Sequence, residues 1–334
     1  TTGVANPYLL LEPSRTNLIS QSEYFGGWTL ISNGTGSDPV LDFGYISPGG
    51  LNNAYKITLD SGAGTATSDE SIIYLNKSGV TAGSEHTASV YLKGAVGGEE
   101  VIVRDTAGGY KKWTLTTEWA RYEYTQTATA TSYATSFGLR QGLGGIGTIN
   151  SNAVVYIYGF QSELGSYPTS YIPTYSVSAT RAQDVCNKTN ASGEIGQTEG
   201  TMFVDLSNVQ NLDFPEITID NNSNTDRIVL TRDATGNWGI FVASSVTTPS
   251  SNVVYSAVGG TSGKFAIAYS SIGYVLYRNG VQISTLTYGL PSALSVFRLN
   301  GRSTNDYNSI KNINQAQLYT TRLTDAELAT LTTI

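Results

Sequence analysis

The feature that most restricts the fold of this chain is a hydrophobic alternation of period two that recurs along nearly all of it. In residues 85–93, Ala88, Val90 and Leu92 alternate with Thr87, Ser89 and Tyr91, which is how a strand presents one apolar and one polar face. The same signal returns at 100–105, 119–127, 136–140 and 153–164, with glycine-rich turns such as 142–147 between them. After Ile195 it restarts at 201–206, 216–220, 227–232 and 238–243, and continues at 264–270, 274–278, 281–285, 295–300 and 312–319. Many short strands divided by Gly and Asn predict an all-β protein of two β-sandwich domains. Asn279-Gly280, between YVLYR and VQIST, is the strongest hairpin signal, because both residues tolerate the positive φ of a two-residue turn. One short C-terminal helix is expected, since Thr324-Asp325-Ala326-Glu327 has the capping-box spacing and Leu328 and Leu331 supply an apolar stripe.

Alternation stops near residues 181–198 (RAQDVCNKTNASGEIGQT), where small and polar residues dominate. The expected organisation is a first sandwich over 1–184, a linker over 185–198 and a second sandwich over 199–334. Composition then removes several classes of function. Nineteen Lys and Arg against twenty-six Asp and Glu give a net charge of −7, and no basic cluster exceeds Lys111-Lys112, so no nucleic-acid surface is expected. No apolar run approaches the eighteen residues of a membrane span, so no membrane insertion is expected. The single cysteine, Cys186, excludes an intramolecular disulfide and a cysteine-based zinc site. The Thr-Thr-Gly start, with neither Met nor a signal-like segment, reads as a fragment or processed product.

Particular strings resemble known modules. Leu9-Leu10-Leu11-Glu12-Pro13-Ser14-Arg15-Thr16-Asn17-Leu18, followed by Ser22-Glu23 and by Phe25 and Trp28, resembles the start of a carbohydrate-binding-like jelly roll common in bacteriophage tail and appendage proteins. Its end is matched by Thr169-Ser170-Tyr171-Ile172-Pro173-Thr174 and by Ala179-Thr180-Arg181-Ala182-Gln183-Asp184, and HTASVYLK at 86–93 looks like a shared internal strand. Residues 199–334 resemble a concanavalin A-like, laminin-G-type sandwich, through Gly200-Thr201-Met202-Phe203-Val204, YVLYRNGVQI at 274–283, and Arg322-Leu323-Thr324-Asp325-Ala326-Glu327-Leu328. The resemblance implies two jelly-roll sandwiches in a virion appendage assembled in the bacterial cytoplasm. Other virion proteins, host cell-surface polysaccharide and further copies of the chain, most simply in a trimer, are the implied partners. It does not name a ligand, because such folds serve lectins, glycosidases and spacers alike.

Catalysis finds little support in the residues. His86 is the only imidazole and lies on an alternating strand, while Cys186 lies in the polar stretch, so no nucleophile–imidazole pair is indicated. The closely spaced carboxylates of sandwich glycosidases are missing, although Asp205 with Asp213, or Asp220 with Asp226, could converge. The expectation is a non-enzymatic glycan-binding protein, with a structural spacer and a polysaccharide depolymerase as alternatives. Sugars stack their C–H faces on aromatic rings while amides and charged groups take the hydroxyls. The candidates for that role are Trp113 and Trp119 in the first domain and Trp238, Tyr274, Arg298, Asn300, Arg302, Asp306 and Tyr307 in the second. A structural Ca²⁺ is considered at Asp220, Asn222 and Asp306, with Asp38 as a further oxygen donor; the same residues equally form Asx turns.

Overall fold

The computed structural model describes residues 7–107, 109–210, 216–304 and 309–334. Nearly all regular structure in them is antiparallel strand, as expected, and the chain divides into two units. One is Arg15–Arg181; the other is Ala182–Ile334 together with the described residues up to Ser14.

The first unit is a sandwich of two five-stranded sheets. One sheet runs, edge to edge, Ala120–Thr127, Glu85–Gly94, Asn152–Leu164, Ala54–Asp60 and Ser37–Tyr45. The other runs Thr29–Asn33, Glu70–Lys77, Tyr133–Arg140, Glu100–Arg104 and Lys111–Thr114. The period-two pattern becomes burial directly: Val90 and Leu92, and Val155 and Ile157, are fully buried, whereas Tyr91 and Lys93, and Tyr156 and Tyr158, stand on the opposite face and stay partly exposed. Ser37–Tyr45 has no such alternation and carries Pro39, which an edge strand tolerates because one row of its amides needs no partner.

The two strings that open and close the first module are bonded to each other. Arg15–Asn17 pairs with Ala179–Arg181. The buried Asn17 side chain donates to Ile172 O at 2.8 Å and accepts from the Ile19 and Ser162 amides at 3.1 and 3.0 Å. Ser22 and Thr174 exchange bonds, amide to hydroxyl, at 3.1 and 2.8 Å. Asn17 of RTNL, Thr174 of SYIPT and Ser22 therefore satisfy backbone that the closure of the sandwich buries.

A buried ionic cluster lies in the same unit. Lys77 pairs with Asp105, both side chains fully buried; Lys77 also donates to Ser162 Oγ at 2.6 Å, and Asp105 accepts from Thr135 and Ser162 at 2.9 and 2.8 Å. Burial pulls the Lys77 ammonium downward and the Asp105 charge opposes it.

In the second unit one six-stranded sheet runs Leu9–Leu11, Lys311–Tyr319, Glu199–Ser207, Gly263–Ser270, Gly273–Arg278 and Val281–Leu286. Its companion runs Asn187–Lys188, Val296–Arg298, Ile217–Asp220, Arg227–Arg232, Asn237–Ala243 and Ser251–Gly259. Asn279 and Gly280 take φ of 50° and 83° in the expected hairpin. The helix spans Asp325–Leu331 with the full Thr324/Glu327 capping box, and its Leu328 is buried with Phe203, Ala266, Ala268 and Tyr277.

The boundaries at 184/185 and 198/199 do not match these units. Leu9–Leu11 forms the edge of the second sandwich, with Leu11 only 2% exposed in its core. The stretch 185–198 is no free linker: Asn187–Lys188 pairs with Val296–Arg298, and Ala191 and Ile195 are core residues joined by a turn in which the Ile195 amide donates to Ala191 O at 3.0 Å. Two apolar anchors within a polar composition are enough to bind such a segment to a sheet.

Candidate functional site

The sequence-selected residues separate into buried and exposed sets. Trp113 is buried in the first core, 5.4 Å from the Tyr122 ring, so it offers no face to a sugar. Trp238 is fully buried, packed 4.3 Å from Phe265 with its indole N–H on Gly260 O at 3.0 Å. Tyr274 is 2% exposed and its hydroxyl donates to Gly289 O at 2.9 Å. Asn300 is buried, donating to Asp184 O at 2.8 Å and accepting from the buried Lys311 ammonium at 2.6 Å. These four are corrections, and the reason is common: core packing and internal hydrogen bonds already use every surface a ligand would touch. Arg302 is half-buried and ion-paired with Glu216 at 3.5 Å. Asp306 and Tyr307 lie outside the described residues.

The calcium reading at Asp220 and Asn222 is corrected as well. Arg298, itself buried, places its guanidinium against Asp220 at 2.6 Å and donates to Asn222 Oδ1 at 2.8 Å, while the Asn222 amide bonds Asp220 Oδ1 at 2.7 Å. A guanidinium and an Asx turn take the oxygens that a cation would need. Asp38 is exposed and accepts from Ser32 Oγ at 2.6 Å. His86 is buried, with Nε2 accepting the Thr81 amide at 3.1 Å. Cys186 is half-buried against the second core, and burial pushes its thiol up.

Trp119 is different. It is partly exposed, its indole N–H rests on Ile46 O at 3.2 Å, and it continues the register of Ala120 opposite Leu92, which puts it beside Lys93. From there one cross-strand row spans the whole sheet: Trp119, Lys93, Tyr156, Lys56 and Asp42. The Lys93 ammonium stands 4.8 Å from the Tyr156 ring centroid and 5.6 Å from that of Trp119, held by the attraction of a cation to aromatic faces. Among the described residues it has no carboxylate within 4.0 Å.

The other end of the row is closed on itself. Lys56 meets Asp42 at 3.3 Å and donates to Tyr45 OH at 2.9 Å, while Tyr45 OH donates to Asp42 at 2.6 Å and its ring lies 5.2 Å from Tyr156. Hydrogen bonds from Tyr45 and Lys56 hold the Asp42 carboxyl below its ordinary range, and the same contacts hold Lys56 above its own. The next row carries Arg121, Tyr91 and Tyr158; Arg121 is fixed by Ser89 Oγ at 2.8 Å and Thr169 O at 2.7 Å, with its guanidinium 5.7 Å from the Tyr91 ring. The face thus combines flat aromatic surface with one ammonium that has no carboxylate partner among the described residues, a set able to stack on C–H surfaces and donate to hydroxyl or carboxylate oxygens.

Lys93, Tyr156, Tyr91, Tyr45 and Lys56 were missed by sequence reasoning. The signal was present: Tyr156 and Tyr158 alternate with Val155 and Ile157, and Tyr91 and Lys93 with Val90 and Leu92, so they had to leave the core together.

No protein-family model and no curated protein matches the chain. Among solved structures it is similar to the CBM40 of a Ruminococcus gnavus IT-sialidase bound to α2,3-sialyllactose, at 18% identity and a TM-score of 0.36 over 42% of this chain and 84% of that one. It is similar to Trypanosoma rangeli sialidase in complex with the inhibitor DANA, at 9% identity and a TM-score of 0.35 over 89% of this chain and 62% of that one. Domains LG4-5 of the mouse laminin α1 chain give 10% identity and a TM-score of 0.27 over 73% and 86%. At these scores the fold is read from the strands themselves: an all-β protein of two antiparallel sandwiches.

Proposed function

We propose that this chain is a non-catalytic glycan-binding protein of a bacteriophage particle, attaching it to polysaccharide on the host surface. The observation that carries the reading is the row Trp119, Lys93, Tyr156: two partly exposed aromatic rings flanking an ammonium with no carboxylate partner among the described residues. Such a row suits a sugar chain lying across the strands, stacked on the rings, with Lys93 donating to hydroxyl or carboxylate oxygens. The absence of catalysis is supported by the commitments of the reactive groups. His86 is buried, and Lys77, Ser162 and Asp105 satisfy one another inside the core where no substrate reaches them. The phage context is supported by the resemblance of the LLLEPSRTNL and SYIPT strings. A shallow face binds each sugar weakly, so assembly as a homo-oligomer, most simply a trimer, would raise avidity through effective concentration.

A glycan array with the full chain tests this, run beside light scattering and an assay for released reducing ends or unsaturated sugars. Selective retention on bacterial surface polysaccharides, an oligomeric mass and no product are expected. No retention on any glycan would leave a spacer role; product formation abolished by one Asp or Glu substitution would make the protein a depolymerase.

A further inference from the structure

The first sandwich also carries a cavity. Its lining is Glu23, Tyr24, Phe43, Asn53, Tyr55 and Tyr175, around a volume of about 460 Å³. Tyr24, Phe43 and Tyr175 are 53%, 60% and 67% exposed, and three large aromatics left this open around one void mark a surface kept for a ligand. Phe43 opposes Tyr55 in the ladder, their rings 4.9 Å apart, and both share the face of the core residues Ile57 and Leu59. The cavity is therefore distinct from the outward row of Lys56 and Tyr156. The local sequence makes room for it: the Tyr24 ring lies over Gly26 and Gly27, where added Cβ atoms would meet ring carbons at 3.0 and 3.1 Å.

The only formal charge on the lining, among the described residues, is negative. Glu23 is its only ionisable carboxylate and accepts from the hydroxyls of Tyr158, Tyr171 and Tyr175 at 2.9, 3.2 and 3.3 Å. Among the described residues no Lys, Arg or His lies within 4.0 Å of it. Burial, then the hydrogen bond to Glu23 and its charge, pushes Tyr158 up to about 12, so that hydroxyl stays protonated and keeps donating to the carboxylate. Asn53 Oδ1, buried within the lining and without a hydrogen-bond partner, adds a further partial negative charge. Ring faces are negative, so the rings, the carboxylate and the amide oxygen together repel anions and attract a cation.

We propose that this aromatic cavity is a receptor for an N-methylated ammonium group of the choline type. A primary ammonium entering it would exchange three hydrogen bonds to water for few acceptors, and is disfavoured. A methylated ammonium has no such bonds to lose, its methyl groups fill the space between the rings, and its charge is balanced by Glu23 across the cavity. The assignment goes beyond the glycan reading and rests on different lining residues, the two meeting only where Tyr158 donates to Glu23.

Calorimetric titration of the full chain with choline chloride, and with its uncharged isostere 3,3-dimethylbutan-1-ol, tests the proposal. Saturable choline binding with a Kd of about 1 mM or tighter is expected, with the isostere at least about tenfold weaker. Phe43→Ala and Tyr24→Ala, at exposed positions that leave the core intact, are expected to weaken choline binding about tenfold each. Glu23→Gln should narrow the gap between choline and the isostere, and Trp119→Ala should change neither affinity. Absence of saturable binding, equal binding of the isostere to the native chain, or full binding by Phe43→Ala and Tyr24→Ala together would each overturn it.

Discussion

Asp105→Asn removes the counter-charge of a lysine whose side chain is wholly buried, and its effect on the first sandwich follows from the structure. The Lys77 ammonium then keeps only neutral partners, Ser162 Oγ and the new side-chain amide oxygen, and its cheapest response is to fold as the neutral amine. Against an ordinary lysine value of 10.5, neutralisation at pH 7 costs about 5 kcal/mol, and at pH 9 about 2 kcal/mol. The variant should therefore lose roughly 3–5 kcal/mol at pH 7 and recover a large part of it at pH 9. Replacing both partners, Lys77→Met with Asp105→Leu, should lose less than the single change, because no buried charge is left unpaired. The residual loss is on the order of 1–2 kcal/mol from Thr135 and Ser162, which lose their acceptor. Urea unfolding of the full chain followed by tryptophan fluorescence reads this, since Trp28 and Trp113 are buried in the first core. A single-variant loss independent of pH, or a double variant as unstable as the single one, would refute the reasoning.

Two further predictions follow from burial. His86 is fully buried, and its folded-state value is lowered below 6.5 by burial and then by the Lys77 charge. The unfolded chain therefore takes up the proton first as pH falls. The corresponding stability is complete above pH 6.5 and declines below it by at most about 1.4 kcal/mol per pH unit; urea midpoints of wild type and His86→Gln should differ in slope between pH 7.5 and 5, and parallel slopes would contradict it. Leu11→Ala, although adjacent in sequence to the first sandwich, should destabilise the second by about 2–4 kcal/mol. Hydrogen exchange should then rise in Lys311–Tyr319 and not in Glu85–Gly94; the reverse would place Leu9–Leu11 in the wrong unit.

What the sequence made legible was local. Alternation in 85–93 and 153–164 located Glu85–Gly94 and Asn152–Leu164, Asn279-Gly280 located a hairpin, and Thr324 with Glu327 located a capped helix, because each depends on neighbours along the chain. Partnership was not legible: a run of three leucines has the same composition at the edge of either sandwich, and only its pairing with Lys311–Tyr319 decides. Several candidate rings fell in the cores because aromatic type was weighed above phase. Trp238 shares the phase of Ile240 and Val242, and Trp113 that of Leu115, so both had to point inward, while Tyr156 opposes Val155 and Ile157 and had to point out. The cavity around Glu23 joins residues from 23 to 175, and no spacing rule brings those together.

The central claim is that the Trp119, Lys93, Tyr156 row holds a sugar chain, and the most direct measurement is affinity for the best-retained glycan by wild type, Trp119→Ala and Trp238→Phe. Removing this partly exposed stacking ring should weaken binding about tenfold, the equivalent of about 1.4 kcal/mol, with the chain still folding cooperatively. Trp238→Phe, which alters only a buried ring, should keep the affinity even where it lowers stability. Undiminished binding by Trp119→Ala, with loss in Trp238→Phe while still folded, would contradict the account.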